Sequence, residues 1–80
     1  MKMAMKTPYK GYSIITSATT SAFRSGWHLT LEILNADQER VVGPIPFEDF
    51  VFAHESAAHE AGVVAARSWI DGENSGKKAA

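Results

Sequence analysis

The clearest pattern in the chain runs from Trp27 to Leu34. Trp27, Leu29, Leu31 and Ile33 alternate with His28, Thr30, Glu32 and Leu34. Apolar side chains at every second position put one face of a strand on a core and leave the other to solvent. Upstream, "YKGYSIITSATTS" (9–21) is rich in Tyr, Ile, Thr and Ser, residue types that suit a pleated surface. Tyr12 and Ile14 fall on one face there, and Ser13 and Ile15 on the other. This predicts an earlier strand, followed by a polar loop over 17–26. Downstream, "NADQE" (35–39) supplies hairpin turn residues. "RVVG" (40–43) predicts a third strand. Pro44 and Pro46 cannot donate to a ladder, so that strand ends early or lies at an edge. Phe47, Phe50 and Phe52 follow, and they are expected to plug one end of the core.

The pattern then changes period. Over 56–70 the apolar positions recur at helical spacing. Ala61, Ala65, Trp69, Gly62, Ala66, Ile70 and Val63 cover one continuous arc on a wheel of about 100° per residue. Ala58, Gly62 and Ala66 form a ridge of small side chains at a spacing of four. Gly62 costs about 1 kcal/mol of helix propensity relative to alanine. A residue retained at that cost implies contact too close for a methyl group. Arg67 and Asp71 are four apart and predict a surface pair. Gly72 stands where a left-handed helix cap is expected.

These elements predict an α+β domain: a three-stranded antiparallel sheet with one C-terminal helix packed across one face. The expected core is Tyr12, Ile14, Trp27, Leu29, Leu31, Ile33, Val41, Phe47, Phe50, Ala58, Gly62, Ala65 and Trp69. Residues 1–8 read as a flexible leader, 9–72 as the single domain, and 73–80 as a flexible tail.

Size sharpens this picture. A chain of 80 residues buries only about 60% of the surface its unfolded form exposes. It has no cysteine, so no disulfide adds stability. A partner chain is one remedy, and a homodimer is expected on these grounds. The net charge of −1 argues against strong electrostatic capture of nucleic acid. No apolar run approaches the roughly 20 residues of a membrane-spanning helix. The expected compartment is the cytoplasm, with no membrane contact.

The stretch most suggestive of chemistry is "AHESAAHE" (53–60). Zinc-protease helices carry two histidines four apart, so that both face one metal. Here His54 and His59 are five apart, which separates them by about 140° on a helix. Glu55 and His59 have the right spacing, but two ligands are too few for a stable zinc site. A third would have to come from His28, Glu32, Glu48 or Asp49. The simpler reading assigns Glu55 to the positive end of the helix dipole. It leaves His59 at the margin of the buried arc, partly exposed. No metal and no cofactor is expected. The serines and threonines of 13–21 follow no nucleophile-elbow pattern, and no phosphate-cradling glycine loop is present.

Two binding classes remain. The open sheet face would carry His28, Thr30, Glu32 and Leu34, with Ile15 and Val42 adding apolar surface and Tyr9 or Lys10 at its margin. This suits a protein partner or a second copy. Single-stranded nucleic acid is the alternative, helped by Lys2, Lys6, Lys10, Lys77 and Lys78 near the chain ends. A metal-dependent hydrolase is the remote third reading.

The closing run "ARSWIDG" (66–72), after three strands, resembles small bacterial βββα domains whose alanine-rich helix ends in an Ala-Arg-x-Trp-Ile-Asp run. The resemblance spans about 9–72 and implies a fold and a bacterial source, without an activity. Double-stranded RNA-binding domains share the element order, but their last helix opens with lysines where this chain has "HESAAHE". Antitoxin-type domains built on a partial ribonuclease-H fold also place an alanine-rich helix after strands. The glycine-rich turn that precedes that helix is missing here.

Overall fold

Two residues decide the topology. Lys10 and Gly11 have φ of 49° and 84°, both left-handed. A two-residue reversal of that kind matches the twist of the strands it joins. It cuts the first expected strand in two and turns the supposed leader into a strand of its own. A computed structural model describes residues 2–20, 25–47 and 50–79, with side chains as far as Glu73. Its elements are β1 (Lys2–Tyr9), β2 (Tyr12–Thr20), β3 (Trp27–Leu34), β4 (Arg40–Pro46) and α1 (Glu55–Ala79). The four strands form one antiparallel sheet in the order β1-β2-β3-β4. The fold is α+β with a C-terminal helix across the sheet, as expected, but the sheet has four strands rather than three. β2 also runs on to Thr20, beyond the point where a loop was expected.

Register follows the alternation in β3. Ile14 pairs with Ile33, Thr16 with Leu31 and Ala18 with Leu29. These residues face the helix, as do Met3, Met5 and Thr7 of β1, which pair with Ala18, Thr16 and Ile14. The helix lies over β2 and β3 and reaches β1 only lightly. Its first turns pack Ala58 against Ala18 and Leu29, while Ala66 and Ile70 pack against Ile14, Leu31 and Ile33. It therefore runs antiparallel to β2. Trp27, Tyr12, Phe47, Ala65 and Trp69 join these clusters from partly buried positions.

The small-residue ridge is the contact surface. Ala58 and Ala66 are fully buried. A Cβ on Gly62 would stand 2.6 Å from Thr16 Cγ2 and 3.2 Å from a Leu29 methyl. The helix backbone sits where only hydrogen fits.

Three expectations are corrected. The helix spans Glu55–Ala79, so Gly72 lies inside it and 73–79 are helical rather than a loose tail. One glycine weakens a helix by about 1 kcal/mol but removes no backbone donor, so it need not end one. Val41 is 43% exposed and Phe50 59% exposed, so neither belongs to the core. In β4 the cause is a pair of register shifts. Leu34 pairs with Arg40, Ile33 with Val42 and Leu31 with Ile45. Each shift inserts an extra residue and turns the following side chains over. Val42 therefore packs on the helix-side core, and it does not contribute to the open face. Gly43 sits at the second shift with φ 87°, its Cα side facing the Leu31 carbonyl.

Candidate functional site

The open sheet face takes His28, Thr30, Glu32 and Leu34 from β3, as the alternation requires. Register adds Ser13, Ile15, Ser17 and Thr19 from β2 and Lys2, Ala4 and Lys6 from β1. Tyr9 lies on the other face, opposite Tyr12. Arg40, Glu32 and Lys6 are engaged locally. Arg40 Nε meets Glu32 Oε1 at 3.1 Å, and Lys6 Nζ donates to Gln38 Oε1 at 3.1 Å. A shallow depression of about 330 Å³ is lined by Lys2, Ser17, Thr19, Thr30, Glu32 and Pro44. Apart from the His28 imidazole, no aromatic ring stands on this face among the described strand residues, so bases find little platform to stack on.

The helix side holds the buried polar group that sequence reasoning missed. Thr16 is fully buried, and His59 is 4% exposed. Thr16 Oγ1 and His59 Nδ1 share a hydrogen bond of 2.7 Å. His59 thus lies inside the interface rather than at its margin. The available signal was an apolar face in β2 interrupted by one hydroxyl, level with a histidine on the facing helix. On the other side of the ring, Nε2 is 3.6 Å from Glu55 Oε1. That exceeds hydrogen-bond length, and Nε2 is buried without a partner. The order acid, imidazole, hydroxyl resembles a nucleophilic triad, but no substrate atom can reach a fully buried Thr16.

The sheet separates the candidate metal ligands by face. His28 and Glu32 lie on the open side of the sheet, across from His59. They cannot share an ion with it. Glu48 and Asp49 lie outside the described residues. His59 has Nδ1 engaged with Thr16, and His54 precedes the helix. Among the described residues no three potential ligands come together.

The "ARSWID" run forms a clasp. Asp71 accepts from Tyr9 Oη at 3.0 Å and from Lys10 Nζ at 2.7 Å. The Lys10 and Tyr9 bonds hold the Asp71 carboxyl below the usual carboxylate range. The same Asp71 bond raises the Lys10 ammonium above its ordinary range. Arg67 lies over the Tyr9 ring at 5.2 Å instead of pairing with Asp71 as the spacing suggested. Trp69 meets Tyr12 edge-on at 6.1 Å. The run therefore ties the helix to the β1–β2 turn.

Outside the clasp, apolar side chains remain exposed. Val64 on the helix is 57% exposed, and Met3 and Met5 on β1 are 42% and 48% exposed. Val64 stands in the walls of two adjoining grooves. One, of about 520 Å³, runs toward Phe52, Ala57, Ala61 and Ala65. The other, of about 390 Å³, lies between the helix and β1 and includes Met5, Val63 and Arg67. Phe50 and Val51 are also exposed in the connection before the helix.

No helix of the described residues is long and apolar enough to cross a membrane. No family model, curated protein or solved structure matches this chain.

Proposed function

We propose that this chain is a non-catalytic interaction module that binds protein through its helix side, a second copy included. One observation carries the reading. Val64 joins two mainly apolar grooves, which also share Glu60, into a single band that reaches from Met5 on β1, over the helix, to Phe52. Single exposed apolar side chains are ordinary, whereas a contiguous apolar band marks an interaction surface. The fold gives this band a rigid base, because the helix is seated on the sheet by the Gly62 contact and the Thr16–His59 bond.

The runner-up reading, an antitoxin-like or other nucleic-acid-binding domain, draws on Lys2, Lys6 and Arg40 on the open face. It is weaker, because Glu32 sits among those cations and no Phe, Tyr or Trp stands there among the described residues. A metal-dependent hydrolase has no support from the ligand geometry.

The test is capture of proteins from the source cell by the immobilised full chain, repeated with Val64→Glu. Equal capture by both forms overturns the reading. A gel shift of random oligonucleotides that weakens with salt would replace it with the nucleic-acid reading.

A further inference from the structure

We infer that two copies of this chain join through β1, edge to edge and antiparallel, with the twofold axis at Met5. The inference rests on the interaction reading above and names the partner and register.

β1 is an outer strand of the sheet. In a two-residue hairpin the flanking residues exchange hydrogen bonds, so Tyr9 bonds to Tyr12 and parity carries that role to Thr7, Met5 and Met3. The backbone groups of Lys2, Ala4, Lys6 and Pro8 then point outward. Pro8 agrees with this parity, since it has no N–H to give β2 and sits where none is required. The free edge therefore offers donors at Lys2, Ala4 and Lys6 and an additional carbonyl at Pro8. Charges can blunt such an edge, but the lysine side chains here lie on the open face, where solvent still reaches them.

Register is selected by charge. An antiparallel pair needs outward residues opposite outward residues. Centring on Ala4 sets Lys2 against Lys6 of the second copy, and centring on Lys6 sets it against itself. Like charges directly opposite are destabilising. Centring on Met5 sets Ala4 against Lys6 and Lys2 against Pro8, and it keeps about six backbone hydrogen bonds. Centring on Met3 or Thr7 also avoids lysine pairs, but the first overlaps only 2–4 and the second only 5–9, where Pro8 has no N–H to give and about two backbone hydrogen bonds remain. On the helix side the Met5 register brings the two exposed Met5 side chains together and sets Met3 beside Thr7.

The helices fit this arrangement. Each lies over its own β2 and β3, so their axes stand about 19 Å apart, four strand spacings. Between them lies a trough floored by methionines and walled by Val63 and Val64. Gly62 sits above Thr16, which pairs with Met5, so the axis passes at the level of residues 62–63. Glu60 of one copy then stands level with residues 64–66 of the other, within about one helical turn of Arg67. Glu60 and Arg67 both line the groove facing β1, and their charges are opposite. A single eight-stranded sheet results.

The cysteine-free sequence makes the register directly readable. Non-bonded antiparallel pairs bring their Cβ atoms within disulfide reach. On mild oxidation the full chain carrying Met5→Cys is expected to form a covalent dimer, while Met3→Cys is expected to remain uncrosslinked. Sedimentation of the unaltered chain at two concentrations should show a dimer, and Ala4→Pro, which deletes an outward donor, should weaken it at least tenfold while leaving the circular dichroism unchanged. A dimer that links through Met3→Cys and not Met5→Cys overturns the register, and a chain that stays monomeric overturns the inference. In either case the interaction reading stands or falls separately, on capture by the unaltered chain against Val64→Glu.

Discussion

His59 meets Thr16 at 2.7 Å in a space closed to water. This bond joins the helix to the middle of β2, and its removal from one side has a definite cost. Thr16→Val keeps the shape and deletes the hydroxyl. His59 Nδ1 is then buried and unpaired, for a loss of about 1–3 kcal/mol. Thr16→Val with His59→Leu removes both partners and should recover much of that loss. Denaturant midpoints of the two singles and the double measure the coupling. Additive losses would show that the bond contributes nothing.

Gly62 stands beside the same threonine. Gly62→Ala brings a gain of about 1 kcal/mol in helix propensity and an overpacking loss of about 1–3 kcal/mol. The loss should win, because Thr16 is held by His59 and its methyl cannot swing away. Gly62→Val should cost more still. In a Thr16→Ser background the methyl is gone and the hydroxyl remains, so Gly62→Ala should be better tolerated there. A rise in thermal midpoint for Gly62→Ala in the native background would disprove the close contact.

The clasp at Asp71 predicts a pH dependence on both flanks. The Asp71 carboxyl is lowered in the folded chain, so its contribution is present above the unfolded aspartate range and is lost as pH falls through the folded value. The Lys10 ammonium is raised, so its contribution is present below the unfolded lysine range and is lost as pH rises through the folded value. Asp71→Asn should therefore lower stability at neutral pH and flatten both the acid and the alkaline decline. Both groups are exposed, so the effect is small. Urea midpoints across pH that run parallel for the two forms would remove the clasp from the account.

The bulges in β4 predict opposite fates for neighbouring valines. Val41→Asp, on an exposed site, should stay within about 0.5 kcal/mol of the parent. Val42→Asp places a charge against Ile33 and its neighbours and should destabilise by several kcal/mol or prevent folding. Equal effects on the melting temperature would contradict the register.

Gly43→Ala tests the second shift. Its φ of 87° disfavours any side chain, and the new Cβ would collide with the Leu31 carbonyl. Marked destabilisation is expected by calorimetry, whereas Gly11→Ala, which meets no neighbouring atom, should lose only the cost of its backbone conformation.

Two elements were legible from local order alone. The alternation of β3 determined which side chains meet the helix, because a pleated strand has a period of two whatever surrounds it. The Ala58-Gly62-Ala66 spacing determined the helix contact face for the same kind of reason, its period being intrinsic to the backbone. The open-face set of His28, Thr30, Glu32 and Leu34 followed directly. Tertiary structure decided the rest. β1 carries two lysines and a proline and has weak strand character by itself, and it is a strand because β2 offers it an edge. Val41 and Val42 exchanged faces because a bulge is a property of two paired strands, absent from either one alone. His59 went inside because Thr16, 43 residues away in sequence, supplied the one partner that makes burying an imidazole affordable. Periodicity reports what a segment repeats, and only packing reports what each segment finds opposite it.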